Sequence, residues 1–432
     1  MNGGDPKAAE TLARTVLADS PALPEAQALL GMILTRHGDK DEARTLLESA
    51  ISLRGTVPQW HHELRELHRR TYRLDDALVA ARAAVRLDPR TPRYRSAMAQ
   101  ILIERGDRDA GRDALLDALT LAPDDVESHL SLGHLLLSSG DLRAGWVEYE
   151  WRFRGPKTRR ALPVITRPIW NGMRLPGRRI LIGADQGFGD GFMFSRFLPM
   201  VAERCDGVVV LCREAQIPVL SRIPGVAACV VDTKQVGEHA AFCWMASLPG
   251  VFGTSLDTIP AATPYLLPDP SRRAAWRRDL PAEGLRIGLC WRGNPENGFD
   301  WRRSLSLSML RGLAGIEGVS LVSLQVPAPE ADRAEMAAMG MIDLAPRLTD
   351  FGETAAAIVN LDLVISVDSA VAHLAGALGV PCWAMLFEPA DWRWLRGRAD
   401  SPWYPSMRLF RQPVPGDWDT VAREVVAAAR GM

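Results

Sequence analysis

The chain has 432 residues, 47% hydrophobic and 24% charged, with 51 basic against 52 acidic side chains and a net charge of −1. At roughly 100–200 residues per domain that length allows two to four domains, each with ample core. Near-neutrality gives no bulk attraction to nucleic acid or to an anionic membrane, which argues against either as a partner. No apolar run approaches the ~18 residues of a membrane span, and the polar start, with Asp5 and Pro6, has no signal-peptide pattern. Six scattered cysteines without a CxxC pair fit buried free thiols in a reducing compartment and argue against zinc. The expectation is a cytoplasmic protein without a metal or other cofactor. Its positive charge is almost all arginine, since only Lys7, Lys40, Lys157 and Lys234 are lysine. Ten of the 13 tryptophans lie beyond residue 165, so the two ends of the chain are built differently.

The N-terminal third repeats itself. Gly31, Arg65, Ala99 and Gly133 are spaced 34 residues apart, as are Ala43, Ala77, Gly111 and Gly145, and again Ala50, Ala84 and Ala118. Between them run pairs of amphipathic helical segments, joined by turns such as His37-Gly38-Asp39 and Arg105-Gly106-Asp107. Small residues at fixed offsets suit two helices whose backbones approach closely. The segment from Asp5 to Pro21 reads as a lone second helix of an earlier unit, which suggests a longer parent array or an atypical cap. In the last unit Arg152 stands where a small residue belongs, closing the aromatic run from Gly145 to Arg152, and such an end is expected to dock on the next domain.

Beyond a Pro/Arg-rich connector, short apolar strands alternate with helices. A strand at 179–183 is followed by a loop at 184–190 and a helix to about 204, with further strands at 208–212 and 229–231. After a proline-rich break at 260–270 the pattern restarts with a strand at 285–291, a polar loop to Arg303 and a helix from Ser306. A strand at 319–324, a helix at 353–360, a strand at 361–366, a helix at 369–378 and a strand at 381–387 follow. This predicts two doubly wound parallel sheets, with the loops at their strand C-terminal ends facing one cleft.

Those loops carry the candidate chemistry. In Asp185-Gln186-Gly187-Phe188-Gly189-Asp190-Gly191, Asp190 sits near a helix start, where it is either a cap or a general base facing the cleft. GlyPheGly is not GxGxxG, so a dinucleotide fingerprint is not supported. In Ser366-Val367-Asp368-Ser369-Ala370-Val371-Ala372-His373, the free N–H groups of a helix start, the Ser369 hydroxyl and His373 make a phosphate site, although a lone helical histidine is as readily a core residue. Arg292, Asn294, Arg302 and Arg303 lie in a strand-end loop that either binds a diphosphate or is simply solvated. The aromatics of Asp391-Trp392-Arg393-Trp394 and Ser401-Pro402-Trp403-Tyr404-Pro405 form inter-domain packing or a base-stacking shelf.

The repeats at about 5–153 resemble the tetratricopeptide repeat. Together with Gln186-Gly187-Phe188-Gly189-Asp190, Trp291-x-Gly293-Asn294-Pro295, Arg303-Ser304, Ser323-Leu324-Gln325, the run from Asp362 to Ile365, that from Asp368 to Gly379 and that from Asp391 to Gln412, the chain resembles bacterial tetratricopeptide-repeat glycosyltransferases. These are heptosyltransferase-like (glycosyltransferase family nine), with a more distant likeness to repeat-bearing protein O-glycosyltransferases. The resemblance implies an all-α solenoid followed by an α/β GT-B module of two Rossmann-like halves. The expected domains are the solenoid at 1–153, a connector at 154–177, an acceptor half at 178–268 and a nucleotide-sugar half at 269–432.

It further implies inverting, metal-independent transfer with Asp190 as the base. Arg292, Asn294, Arg303, Gln325, Asp368, Ser369, Ala370 and His373 would hold the donor, with Gln325 toward the nucleoside, while Gln186, Gly187, Phe188 and Gly189 would form the acceptor-side loop. The partners implied are a nucleotide sugar and a protein hydroxyl recruited by the repeats, with flagellin or another surface protein as an acceptor by analogy. Two departures fall on the acceptor side: Asp185 where relatives carry Glu, and Gly191, Phe192 and Met193 where they carry Thr/Ser and then an aromatic or Gln. The alternatives are a repeat scaffold with a catalytically silent second module, and a transferase for a lipid or glycan acceptor.

Overall fold

The computed structural model describes residues 5–155, 162–163, 165–298 and 300–432; residues 156–161 and 164 of the expected connector, including Lys157, lie outside them. The chain divides into two compact units, residues 1–136 with 151–155, and residues 137–150 with 156–432.

The first unit is a right-through stack of helices. A first helix, Pro6–Asp19, precedes the pairs Pro24–His37 with Lys40–Leu53, Pro58–Arg70 with Leu74–Leu87, and Pro92–Arg105 with Arg108–Leu121. Proline recurs at the first helical position, where its missing N–H costs no intrahelical bond. The small residues of the 34-residue pattern sit where helices touch. A Cβ on Gly31 would stand 2.8 Å from Leu47, and one on Gly111 would stand 2.6 Å from Ile103. Arg65 takes the same repeat position as Gly31, and its buried guanidinium pairs with Glu66 at 3.0 Å.

The second unit begins with Leu137 and includes the helix Leu142–Tyr149, counted with the solenoid at the sequence level. Trp146 and Tyr149 belong to the same buried cluster as Trp392 and Trp403, and the Trp146 indole N–H donates to the carbonyl of Thr254 at 3.0 Å. These contacts of the aromatic run lie within the second unit. Arg152 stays in the first unit, buried, with its guanidinium 4.0 Å over the Phe153 ring.

Two parallel sheets follow. The first has the order β3-β2-β1-β4, with β1 Ile180–Gly183, β2 Val208–Leu211, β3 Val226–Val230 and β4 Ala241–Trp244. The second has the order β10-β9-β8-β5-β6-β7, with β5 Leu285–Cys290, β6 Val319–Ser323, β7 Ile342–Asp343, β8 Leu363–Val367, β9 Cys382–Leu386 and β10 Met407–Arg411. All the pairings within them are parallel. The central strands β1, β2 and β8 are buried at every position, as sheets covered by helices on both faces require. One hydrophobic cluster runs from Leu137 through both sheets to Leu409, so the two halves share a core.

Several sequence expectations are corrected. The helix expected to reach about 204 is broken into Phe188–Phe194, a 3-10 turn Ser195–Phe197 and Leu198–Ala202, with Pro199 opening the last piece. The helix expected from Ser306 is a 3-10 helix, Leu307–Leu313. The polar loop before it contains a short helix, Asp300–Arg303. Strands β4, β7 and β10 and the helices Pro270–Asp279 and Trp418–Arg430 complete the architecture. Among the described residues, no helix is long and apolar enough to cross a membrane.

Candidate active site

Strand register decides which loops meet. Cys290 at the end of β5 pairs with Ser366 of β8, and Leu289 pairs with Ser323 of β6. The C-terminal ends of β5, β6 and β8 are therefore neighbours, which brings Arg292, Gln325 and Ser369 into one region. The Gln325 side-chain carbonyl accepts the Arg292 N–H at 2.9 Å, and the Cys290 thiol lies 3.6 Å from the same oxygen and 3.7 Å from the Ser369 hydroxyl.

Opposite, β1 ends at Gly183 and the loop 184–187 leads into the helix Phe188–Phe194. That helix packs directly on Ala370–Ala377, the helix following β8. Contact is closest at Gly189, where a Cβ would stand 2.6 Å from Cδ2 of His373 and 3.4 Å from Cα of Ala370. Phe188 lies across Phe351 with ring centroids 4.8 Å apart, and Gln186 is half-buried beside it in the sequence.

Both Asp190 carboxylate oxygens are engaged. Oδ2 accepts the Gly187 N–H at 3.0 Å, the capping arrangement for this helix, and Oδ1 is 2.5 Å from Nη2 of Arg393. Burial raises the pKa of Asp190, and Asp391 and Asp185 add to it, while Arg393 pulls it down; the net shift is upward. Arg393 is itself buried. Its Nη1 donates to Asp391 at 2.8 Å, Nη2 lies 3.5 Å from the Tyr149 hydroxyl, and the guanidinium sits 4.3 Å over Trp392. Desolvation works against its charge, but Asp190 and Asp391 hold it protonated.

On the other side of the contact, the Ser369 hydroxyl caps Ala370–Ala377 through Ala372 N and bonds the Ser366 hydroxyl at 2.8 Å. The eight-residue helix presents its first N–H groups and positive dipole end beside Asp368. Nδ1 of His373 is 2.9 Å from the Tyr404 hydroxyl, its Nε2 is 3.8 Å from Asp368, and the ring stacks on Trp394. Burial, reinforced by Arg393, pushes the His373 pKa down to about 3, so the imidazole is neutral near pH 7. Burial also pushes Asp368 up to about 6, helped by Asp391 and opposed by Arg303. Arg303 bonds Asp300 at 2.9 Å and reaches toward the Asp368 carbonyl at 3.4 Å.

The structure thus gathers Asp190, Arg303, Asp368, Ser369, Ala370 and His373 where the two halves touch. Arg292 is bound to Asp332 at 3.0 Å, and Gln325 is buried beneath the loop. Asn294 is exposed, its side chain accepting the Glu296 N–H of its own turn. Trp392, Trp394, Trp403 and Tyr404 are almost fully buried, which is the packing alternative. Sequence reasoning did not single out Arg393, Asp332 or Tyr404 individually. Arg393 and Tyr404 stood inside conspicuous aromatic runs, but nothing in the linear sequence pointed to Asp190 or His373 as partners.

Comparison with known proteins agrees with this organisation. Residues 317–408 match glycosyltransferase family 9 (heptosyltransferase), and residues 3–67 and 96–144 match tetratricopeptide repeat families. Protein FlbA of Caulobacter vibrioides is 30% identical over 325 residues, covering 68% of this chain; the chain spans 54% of that relative's length. Among solved structures, the glycosyl transferase family 9 protein from Veillonella parvula is similar at 14% identity, over 60% of this chain and 98% of that one, with a TM-score of 0.46. A thermophilic tetratricopeptide-repeat protein of Thermus thermophilus is similar at 24% identity, over 35% of this chain and 84% of that one, with a TM-score of 0.32. The chain thus matches tetratricopeptide repeats at 3–67 and 96–144 and glycosyltransferase family 9 at 317–408, the combination that its own motifs resemble.

Proposed function

We propose that the protein is an inverting, metal-independent glycosyltransferase moving a sugar from a nucleotide donor to a protein hydroxyl recruited by the repeats. The observation that carries this reading is the meeting of the helix that bears Asp190, through Gly189 of the first half, with Ala370 and His373 at the helix start of the second. A donor diphosphate at that helix start would be met by backbone N–H groups and the helix dipole, with Arg303 beside it. The acceptor oxygen would form the new bond at the anomeric carbon as the bond to the diphosphate breaks. Asp190 would take the hydroxyl proton, and the nucleoside diphosphate would leave with the electron pair. A neutral His373 supports this role as a hydrogen-bonding partner and not as a cation.

The family 9 match over residues 317–408 contains the Asp368–His373 turn, which supports donor binding in this half. The repeats support a protein acceptor, and a surface protein such as flagellin is the analogue to try first. The test is transfer of an isotope-labelled sugar from a panel of nucleotide sugars to cell lysate, comparing the wild type with Asp190→Ala. Labelled protein with the wild type and none with the variant is the expected result. Equal labelling by both would remove Asp190 as the base. Calorimetric titration with UDP, GDP, ADP and CMP separates the scaffold alternative, which predicts binding to none of them. Label recovered only in lipid or free glycan would replace the protein acceptor.

A further inference from the structure

Arg393 lies outside every role assigned so far, yet it is among the most constrained side chains in the second unit. It is 9% exposed. Three oxygen partners from three places surround it: Asp190 of the first half, Asp391 of its own loop, and Tyr149 of the helix Leu142–Tyr149. Trp392 and Phe194 cover the guanidinium at 4.3 and 5.9 Å. The turn that presents it is strained, because Leu395, directly after Trp394, has φ +51°, a left-handed conformation unfavourable for a branched side chain. Asp391 fixes the start of that turn by accepting the Arg393 N–H at 3.0 Å.

A surface clip between two halves needs none of this. A planar cation held by three oxygen partners and aimed at one carboxylate oxygen has its geometry set in advance. We propose that Arg393 is a positioning residue for Asp190. It holds the carboxylate ionised and turned so that a remaining lone pair faces the acceptor hydroxyl, while Tyr149 steadies the same Nη2 that meets Asp190. Each carboxylate oxygen has two acceptor sites, so the bonds to Gly187 and Arg393 leave capacity for that hydroxyl. The inference rests on the transferase reading of Asp190. The charged groups facing Asp190 are Arg393 and Asp391 from the one loop and Asp185 from its own; His373, on the helix packed against it, is neutral.

The test uses Arg393→Met, Arg393→Lys and Tyr149→Phe in the full chain, with sugar-transfer kinetics and carbon-13 carboxyl titration of Asp190, its resonance identified with Asp190→Asn. Misplacement of a reacting group on the scale of 1 Å costs on the order of 10²-fold in rate. Arg393→Met should therefore lower kcat by about that factor with the donor KM little changed, and should move the Asp190 titration upward. Arg393→Lys should recover part of both, and Tyr149→Phe should shift them the same way by less. In the Asp190→Asn background, Arg393→Met should lower kcat no further, because the two act as a unit. An Asp190 titration unmoved by Arg393→Met, or rate losses that multiply in the double variant, would overturn the proposal. Should Arg393→Met fail to fold, Arg393→Lys with the same two readouts decides. A wild type that turns over no donor would count against the transferase reading, whereas the titration tests the Arg393–Asp190 coupling whether or not transfer is seen.

Discussion

Gly189 and His373 are in van der Waals contact across the two halves of the second unit, and no side chain larger than hydrogen fits between them. A methyl group on Gly189 would stand 2.6 Å from Cδ2 of an imidazole already fixed by Tyr404 and Trp394. Gly189→Ala is expected to push the helices Phe188–Phe194 and Ala370–Ala377 apart, at a cost of about 1–3 kcal/mol. Thermal melts should fall accordingly, and transfer should fall more than donor binding, since the displaced loop also carries Asp190. A melt and a transfer rate both equal to wild type would show that the contact yields freely.

Asp190→Asn keeps an oxygen able to accept the Gly187 N–H while removing the charge opposite Arg393. Transfer is expected to drop by about 10²–10⁴-fold, the usual contribution of a general base. Under the proposed reading nucleotide affinity should persist, because the groups assigned to the donor lie on the other half. Parallel kinetics and calorimetry check both statements.

Buried histidines set an acid limit on stability. His62, in the first unit, has its pKa pushed down to about 3 by burial and by Arg65 and Arg93, and His373 is likewise near 3. In both cases the folded pKa lies below the unfolded value near 6.5, so the unfolded chain binds protons more readily between about pH 6.5 and 3. The stabilisation is complete above 6.5 and is lost as pH falls through that window, at up to about 1.4 kcal/mol per pH unit for each group. Asp368, pushed up to about 6, works the opposite way between about pH 4 and 6. Calorimetric scans from pH 7 to 5 should show His62→Phe losing less stability on acidification than the wild type. Identical slopes would mean that His62 gains a proton without unfolding.

Asp332 holds two groups at once, the Trp291 indole N–H at 2.8 Å and the Arg292 guanidinium at 3.0 Å. Asp332→Ala leaves a buried indole donor and a half-buried cation without their acceptor, a loss of about 2–4 kcal/mol. Denaturant titration measures that loss. A fall in donor affinity alongside it would show that the 291–304 loop takes part in binding.

The 34-residue period was legible because packing enforces it locally: Gly31 and Gly111 face a partner helix only a few residues away in the chain. The central strands were legible for a similar reason, since burial on both faces leaves uninterrupted apolar runs such as Val208–Leu211. β10 was harder, because Arg408 and Arg411 interrupt the apolar pattern of an edge strand. The loops of the candidate site could be located, but not their pairing. Arg393 and Asp190 lie about two hundred residues apart, and their contact depends on how two sheets close on a shared core, which no spacing encodes. For the same reason Arg292 could not be seen from its loop to bind Asp332, nor Gln325 to be spent on the Arg292 backbone.

Because the helix Leu142–Tyr149 contributes Trp146 and Tyr149 to the core of the α/β unit, sequence periodicity and structural inheritance part company before Leu137. A recombination joint placed there would let one repeat array be exchanged for another with the α/β unit arriving intact. A joint at residue 153, where the repeat signal ends, would strip the indole that packs 5.3 Å from Trp392 and leave that aromatic cluster open to water. Under the proposed reading, acceptor choice can be swapped as a cassette, provided the cassette stops one helix short of its own pattern.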